Sequence, residues 1–238
     1  ANGGTISSNN AATADLRFDL VNGEASVSNL PTASKSGYTF DGWYTAEDKK
    51  IENGTKLTAD TTATAKYVLN TKNLLVKGVK TTEALENAKL ISEYNVAVNT
   101  PLLDFVKGSD VVAAVQASVP AGYQLKNNNG SILWYNFSGN ALTSQDQATS
   151  VAQTVLVKYE PKTFKITFKP NGGTVGTDSW NVTYDAKIGV DPTTGKSRTL
   201  PVATKTGDVF LGWFDENGMQ YTADTVYKVN GDTVLTAK

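Results

Sequence analysis

The sequence predicts a β-rich α+β protein in which two copies of a small β-rich repeat flank a central α+β domain. A short motif near the amino terminus recurs near the carboxyl terminus, which indicates a duplication. Asn-Gly dipeptides, which favour the positive φ angles of tight hairpins, occur seven times. The residues between the copies lack the motif and contain helix-like as well as strand-like runs. We therefore predict domains at residues 1–68, 69–162 and 163–238.

Each copy of the repeat opens with Asn-Gly-Gly-Thr, at residues 2–5 and again at residues 171–174. A Leu-Pro pair follows at residues 30–31 in the first copy and at residues 200–201 in the second. The spacing between the two motifs differs by one residue, so the two copies are expected to share one fold.

A glycine- and aromatic-rich stretch forms the centre of each copy, at residues 37–44 and 207–214. Its pattern, Gly-x-x-Phe-x-Gly-Trp-aromatic, is typical of a strand in which glycines allow a turn or a bulge. We interpret both tryptophans as buried core anchors rather than ligand platforms, because Trp buries a large area. The structural residues of this motif are Gly37, Phe40, Gly42, Trp43, Gly207, Phe210, Gly212 and Trp213.

Together with a closing Thr-Ala-Lys at residues 64–66 and 236–238, these motifs resemble the Listeria/Bacteroides repeat, also called the internalin B-repeat family. The resemblance covers residues 1–68 and 163–238. It implies a small β-grasp-like module that is extracellular and is used in tandem arrays on bacterial surface proteins. The closing aromatic of the family is present as Tyr67 in the first copy and is absent after Lys238.

The second copy contains an opening strand at residues 163–169, where Phe164, Ile166 and Phe168 alternate on one face. The first copy has no equivalent segment, so we expect both ends of the sequence to be cut inside a repeat array. A missing strand would leave an unpaired edge in the first module. Trimming is one explanation, and a strand supplied by a neighbouring chain is the alternative. Otherwise we expect a monomer.

The central residues 69–162 are long enough to form a domain with its own small core. Helices are predicted at residues 82–91 and, after Ser109-Asp110, at residues 111–117. Residues 158–162 are a predicted short linker to the second repeat. Strands are predicted at residues 74–76, 95–98, 132–135 and 154–159.

A Pro-x-Gly-Tyr sequence within the central domain, Pro120 to Tyr123, resembles a signature of mucin-binding-type and pilin-type surface modules. In the pilin-type modules an acidic residue shortly before the proline promotes an isopeptide bond between Lys and Asn. The residue four positions before Pro120 is Gln116 in this sequence, so we expect no isopeptide bond.

An amide- and aromatic-rich stretch supplies the candidate ligand-contact residues Asn128, Trp134, Tyr135 and Asn136. Aromatic faces stack on the apolar faces of sugars, while amides bind sugar hydroxyl groups. The alternative is a turn followed by a packed core strand. Exposure of Trp134 and Tyr135 on one face would favour glycan binding, and burial would count against it.

The composition narrows the classes of function. His and Cys are both absent, which removes the usual base near neutral pH, thiol nucleophiles and thiolate metal ligands. The acidic residues form no calcium-loop pattern. We therefore expect no enzyme activity, no metal and no cofactor.

A net charge of -1 gives no electrostatic reason to expect nucleic acid as a partner, and no apolar run approaches the roughly 18 to 20 residues of a membrane-spanning helix.

The sequence therefore predicts a non-catalytic segment of a bacterial protein located at the cell surface or in the cell wall. It would act as a stalk or an adhesion module, with a protein or glycan at a cell surface as its partner. Compact modules joined by short linkers provide length without a catalytic site. The alternative is a carbohydrate-binding module whose site lies on the central domain.

Overall fold

A computed structural model describes the whole chain, from residue 1 to residue 238. The chain divides into two compact units. Unit 1 comprises Ala1–Leu75, Glu93–Lys107 and Leu142–Thr154, and unit 2 comprises Val76–Ser92, Gly108–Ala141 and Val155–Lys238. The division into three domains at residues 1–68, 69–162 and 163–238 stays a prediction.

Short strands form the first repeat, which lies in unit 1. They are β1 (Thr5–Ile6), β2 (Leu20–Val21), β3 (Glu24–Ser26), β4 (Ala33–Ser34), β5 (Tyr38–Tyr44), β6 (Lys50–Ile51), β7 (Lys56–Leu57) and β8 (Thr64–Leu69). Their sheets have the orders β1-β4, β2-β3-β7 and β6-β5-β8. Strands β5 and β8 are antiparallel, with a bulge between Phe40 and Gly42. Trp43, Ile6 and Ala65 belong to the core of this repeat.

The second repeat lies in unit 2 and has a larger main sheet. Its strands are β16 (Thr163–Lys169), β17 (Thr174–Val175), β18 (Ser179–Thr183), β19 (Ala203–Thr204), β20 (Trp213–Phe214), β21 (Gln220–Tyr221) and β22 (Thr233–Ala237). The main sheet has the order β18-β16-β22-β20-β21, and β17 pairs with β19. The predicted opening strand is confirmed as β16, which buries Ile166 and Phe168 on one face.

The segment between the repeats contains seven strands and two short helices. The strands are β9 (Thr71–Lys80), β10 (Lys89–Ala97), β11 (Tyr123–Leu125), β12 (Asn127–Asn128), β13 (Ser131–Ile132), β14 (Trp134–Asn136) and β15 (Gln153–Pro161). One sheet has the order β10-β9-β15-β11, with β14 also paired to β15. The helices are α1 (Leu102–Val106) and α2 (Ser109–Ala117). The predicted β-rich α+β class is confirmed, whereas the β-grasp-like topology of the repeats stays a prediction.

The predicted helix at residues 82–91 is wrong. Leu85–Asn87 form a single 3₁₀ turn, and β10 begins at Lys89. No side chain caps the turn, and Ala84 before it has an extended backbone. Pairing of residues 89–91 within a sheet therefore outweighs the helix propensity of a stretch rich in Ala, Leu and Glu.

The second predicted helix is confirmed as α2, although Gly108 rather than Ser109 is its N-cap residue. The predicted strand at residues 132–135 is interrupted at Leu133, between β13 and β14. Helix α1, which follows Pro101, was not predicted, because its five residues are fewer than the roughly 11 over which helical periodicity is recognised. No helix of the protein has the length and apolar character that crossing a bilayer requires.

The predicted linker at residues 158–162 is also wrong for four of its five residues. Residues 158–161 belong to β15, and Tyr159 is buried. Its hydroxyl lies 2.7 Å from Ser118 Oγ. A side chain at Gly78 in β9 would overlap the Tyr159 ring, so glycine is required there. A single residue, Lys162, therefore separates β15 from β16.

Candidate functional site

The two motif tryptophans make the same contacts in both repeats. The indole N–H of Trp43 donates to the Pro31 carbonyl oxygen at 2.6 Å, and that of Trp213 donates to the Pro201 carbonyl oxygen at 2.7 Å. Each indole also packs edge-on against the Phe three residues earlier, with ring centroids 5.5 Å apart. Both indoles are buried. In each repeat the proline of the Leu-Pro pair and the motif phenylalanine thus contact the indole of the motif tryptophan. The buried indole has no free face for a ligand.

The motif phenylalanines and glycines surround these indoles. Phe40 and Phe210 are partly buried against the two cores. The motif glycines all have positive φ, which side chains rarely adopt: 81° at Gly37, 154° at Gly42, 85° at Gly207 and 137° at Gly212.

The candidate ligand-contact residues begin at a hairpin in unit 2. Strands β12 and β13 pair antiparallel, and Asn129-Gly130 between them has positive φ at both positions. This is the turn expected for a two-residue Asn-Gly hairpin. Asn128 lies exposed beside the turn.

Strand β14 directs its aromatic side chains to opposite faces. Trp134 is 4% exposed and packs in the interior, opposite Val157 of β15. Tyr135 is half-buried, with the Lys158 ammonium 4.3 Å from its ring centroid. The side-chain oxygen of Asn136 accepts a hydrogen bond from the Asn140 backbone N–H at 3.1 Å. The structure therefore does not bring the four predicted residues together on one surface, and their role as a ligand site stays a prediction.

Phe137, the last aromatic residue of the amide- and aromatic-rich stretch, was not among the candidate ligand-contact residues, although it is exposed. It is 52% exposed and follows β14 directly, and the Lys77 ammonium lies 5.9 Å from its ring centroid. The signal that could have found it is the turn at residues 137–139, because aromatic residues in a turn face solvent more often than those inside a strand.

The Pro-x-Gly-Tyr loop contacts the second repeat within unit 2. The Tyr123 hydroxyl donates to Asp185 Oδ2 at 2.6 Å, and the two rings of Tyr123 and Tyr184 meet edge-on at 5.5 Å. The backbone N–H of Gly122 donates to Asn230 Oδ1 at 3.1 Å. A side chain at Gly122 would overlap the Tyr184 ring, which explains the glycine of this signature.

Lys162 is held between the same two segments. Its backbone N–H donates to the Gly122 carbonyl oxygen, and its carbonyl oxygen accepts from the Tyr184 backbone N–H, both at 2.9 Å. We call the set Gly122, Tyr123, Lys162, Tyr184, Asp185, Lys228 and Asn230 the second junction.

The charges of the second junction are matched. Lys228 forms an ion pair with Asp185. The hydrogen bond from Lys228 lowers the pKa of Asp185, and the Tyr123 hydroxyl adds to the effect. Burial raises the pKa of Tyr123, and the bond to the Asp185 carboxylate raises it further. The phenol therefore stays protonated and the carboxylate ionised at neutral pH, which is the combination that makes a charge-assisted hydrogen bond.

Asn70 takes a comparable position in unit 1, between β8 and β9. Its backbone N–H donates to the Gly37 carbonyl oxygen, and its carbonyl oxygen accepts from the Val98 backbone N–H, both at 2.9 Å. Thr39 Oγ1 also donates to Asn70 Oδ1 at 2.7 Å. We call the set Gly37, Thr39, Asn70 and Val98 the first junction. Each predicted module boundary thus contains one residue that is hydrogen-bonded on both sides.

Two depressions lie on the second repeat. One of about 230 Å³ is lined by Asn171, Lys205, Phe210, Lys238 and neighbouring residues. The other, of about 360 Å³, is lined by residues 172–174 and 204–206 and contains no aromatic side chain. No group of three or more acidic side chains converges on a point where a metal ion could be held.

Comparison with known proteins gives one family. The profile of the Listeria-Bacteroides repeat domain matches residues 1–69 and 164–238. The resemblance inferred from the two copies of the motif is therefore confirmed. A comparison with curated protein sequences gives no match. Among solved structures, one titled "Crystal structure of Mub-RV" is similar at 12% identity over 71% of this chain and 100% of that chain, with a TM-score of 0.17. That score is too low to support an argument about fold.

Proposed function

The chain belongs to the Listeria-Bacteroides repeat domain family, and we propose from this that it is a non-catalytic segment of a bacterial surface protein in which stiff joints hold successive modules. The segment would act as a spacer or stalk. The observation that carries the proposal is the second junction, where a single residue separates β15 from β16 and the loop that contains Tyr123 is hydrogen-bonded to the second repeat.

Stiffness follows from the number of free residues at each boundary. A flexible linker needs several residues whose backbone groups have no partner in the protein. At the second junction the strands β15 and β16 are separated by Lys162 alone, and both of its backbone polar groups are bonded. Asn70 is bonded in the same way between β8 and β9. Neither boundary retains a segment that could swivel freely.

Side chains add to the backbone contacts of the second junction. The Tyr123 hydroxyl bonds a charged acceptor, which contributes about 1.5–3 kcal/mol in typical proteins. The ion pair between Lys228 and Asp185 is half-exposed and contributes less, on the order of 0–1 kcal/mol. The aromatic pair of Tyr123 and Tyr184 adds roughly 0.5–1.5 kcal/mol. Together they oppose bending by several times the thermal energy.

A location outside the cell, at the bacterial surface or cell wall, is part of the same proposal. So is an adhesive contact with a protein or glycan partner, made either by this segment or by a domain that it holds away from the wall. The absence of His and Cys and the shallow surface give no support to a catalytic role.

Distance measurements between spin labels test the stiffness of the second junction. The chain has no Cys, so labels attach only at two introduced cysteines, Asp110→Cys near the start of α2 and Val209→Cys on the second repeat. Both positions are exposed. We expect one narrow distance distribution by pulsed electron paramagnetic resonance. The double variant Tyr123→Ala, Asp185→Ala should broaden it.

Gln124→Ala is the matched control. Gln124 lies next to Tyr123 but bonds only Glu160 at the surface, so the distribution should stay narrow. A wild-type distribution as broad as that of the double variant would show that the joint is flexible and would contradict the proposal.

Carbohydrate binding by the central segment is the second candidate function, and the exposed ring of Phe137 favours it. Stacking on this ring, with Tyr135 and the amides nearby in sequence, would form a shallow glycan site. Titration with a panel of glycans, followed by amide chemical shifts, tests it. Phe137→Ala should weaken any binding roughly two- to tenfold, since a stacked aromatic contributes roughly 0.5–1.5 kcal/mol. Leu90→Ala, another exposed apolar residue, should leave it unchanged.

A further inference from the structure

Two lysines of unit 2 lie over aromatic rings without an acidic partner. The Lys158 ammonium is 4.3 Å from the centroid of the Tyr135 ring, and the Lys77 ammonium is 5.9 Å from that of the Phe137 ring. Neither lysine belongs to an ion pair. Other lysines that lie over aromatic rings do form ion pairs with Asp or Glu, namely Lys50, Lys66, Lys80 and Lys228. The charges of Lys77 and Lys158 are therefore not matched by a carboxylate of the protein.

Both ammoniums border the same turn, at residues 137–139 after β14. Lys77 lies in β9 and Lys158 in the neighbouring strand β15, and both residues are half-buried. Lys158 Nζ is 3.9 Å from the position that a Cβ would take at Gly139, while Lys77 lies over the ring of Phe137. One positive charge thus stands near each end of the turn.

Backbone bonds and packing hold this turn in place. The Gly139 N–H donates to the Asn136 carbonyl oxygen at 2.9 Å, and the Asn136 N–H donates to the Asn140 carbonyl oxygen at 2.8 Å. A Cβ at Gly139 would lie 2.9 Å from Leu85 Cδ1, so Leu85 packs against the turn. Phe137 is nonetheless 52% exposed. Its ring is therefore presented to solvent from a backbone that is held on both sides.

A lysine over an aromatic ring is positioned by the ring and keeps its capacity to donate hydrogen bonds. The negative face of the ring attracts the ammonium, which carries three N–H donors. An anionic acceptor within reach forms charge-assisted hydrogen bonds, which are stronger than neutral ones. The exposed residues Ser138 and Asn140 add neutral polar groups beside the ring. The surface thus combines an exposed aromatic ring, two positive charges, a hydroxyl and an amide.

We propose that residues 137–139, with Tyr135, Lys77 and Lys158, bind an acidic sugar of a glycan, one that carries a carboxylate or a sulfate. This assignment rests on the carbohydrate-binding function and adds the charge of its ligand. An apolar face of the sugar stacks on Phe137, and its anionic group accepts hydrogen bonds from the two ammoniums. The exposed ring favours a sugar over a peptide of Asp and Glu residues, whose side chains have no flat apolar face.

A hyaluronan tetrasaccharide and its carboxyl-reduced form give a matched pair of probes. Hydroxymethyl groups replace the carboxylates in the reduced form, so the pair separates recognition of charge from recognition of the sugar. Each is titrated into the whole chain at low salt and followed by amide chemical shifts. We expect the acidic form to bind at least about fivefold more tightly, with shifts at residues 134–140. The difference should shrink as added salt screens the charges.

Substitution of the lysines tests which side chains carry the preference. Lys77→Gln and Lys158→Gln should each weaken binding of the acidic form about threefold and leave that of the reduced form unchanged. Lys196→Gln is the control, because Lys196 is an exposed lysine of the second repeat that also lies outside any ion pair. It should change neither affinity. Phe137→Ala should weaken binding of both forms, because the ring stacks on either sugar.

The contrary outcomes are distinct. Equal affinity for the two saccharides would overturn the charge of the ligand and leave the carbohydrate-binding function in place. Binding of neither saccharide by a chain with the amide spectrum of a folded protein would remove both. A hexaglutamate peptide that binds as tightly as the acidic saccharide would show that the surface selects charge alone. A preference that survives in the double variant Lys77→Gln, Lys158→Gln would place the anionic group elsewhere.

Discussion

The Asn-Gly-Gly-Thr motif gives a different task to each of its first three residues. Asn2 and Asn171 adopt positive φ angles of 50° and 52°, and their amides donate to carbonyl oxygens of the closing strands. The glycine that follows each Asn continues the turn with φ near 80°. The second glycine, Gly4 or Gly173, has an ordinary φ but lies directly against a backbone carbonyl, that of Ser34 or Thr204. The motif is therefore a turn that packs tightly on a neighbouring strand.

Alanine substitution separates this close packing from the flexibility of glycine. A side chain at Gly173 would overlap the Thr204 backbone, which cannot move away as a flexible side chain could. We expect Gly173→Ala to lower the stability of the second repeat by about 1–3 kcal/mol. Gly176→Ala, three residues further on in open space, should change it by less than about 0.5 kcal/mol. Native-state hydrogen exchange of β17 and β19 measures both. Similar values for the two variants would contradict the packing argument.

Tyr67 at the end of β8 closes the first repeat. Its ring lies 5.9 Å from Phe40 and 6.3 Å from Tyr38, and its hydroxyl donates to the Ala1 carbonyl oxygen at 2.8 Å. The ring of Tyr67 thus packs against two aromatic rings of β5, and its hydroxyl ties β8 to the first residue of the repeat.

Truncation of Tyr67 should therefore destabilise the first repeat. Tyr67→Ala removes a partly buried ring and leaves a cavity, which we expect to cost about 2–3 kcal/mol. Tyr67→Phe removes only the hydrogen bond and should cost about 0.5–1.5 kcal/mol. Hydrogen exchange of residues 38–44 and 64–69 reports the local free energy of opening. Equal costs for the two variants would mean that the ring contributes nothing to packing.

At the level of elements, the repeats could be predicted from sequence better than the segment between them. The same motif residues recur in both repeats at nearly the same spacing. A fold inferred for one copy is therefore supported by the other copy. In the central segment the helix at residues 82–91 was predicted from local composition, whereas the pairing of β10 in a sheet decides the structure there. Local patterns do not record such long-range pairing.

The candidate site shows the same limit. Trp134 and Tyr135 are neighbours in sequence, and one of them must face inward in any strand. Which one does so depends on the register of β14 against β15, which the sequence of β14 alone does not specify. The junctions were missed for a related reason, because residues 158–162 contain Pro, Lys and Glu and match a linker in composition. Their strand structure comes from pairing with β11.

For the whole molecule, ionised aspartates connect stability to pH. Side-chain hydrogen bonds lower the pKa values of three aspartates. Tyr44 donates to Asp41, Lys228 donates to Asp185, and Lys187 donates to Asp224. Backbone N–H groups of Thr194 and Thr193 lower the pKa of Asp191. Each of these carboxylates binds a proton less readily in the folded protein than in the unfolded chain.

The sign of the resulting pH dependence follows from linkage. A carboxylate with a lowered folded pKa contributes stability that is fully present above the unfolded value, about 4, and is lost as the pH falls through the folded value. We therefore expect the free energy of unfolding, measured with urea, to fall between pH 6 and pH 2. Asp185→Asn should be less stable than the wild type at pH 6 and should lose less on acidification, because its amide does not titrate. Tyr123→Phe, which keeps the Lys228 contact, should lie between the two.

Since Asp185 belongs to the second junction, the spin-label distance distribution across that junction should broaden over the same pH range in the wild type. A wild-type distribution that stays narrow at pH 2 would show that the strands and backbone bonds of Lys162 hold the joint without the carboxylate.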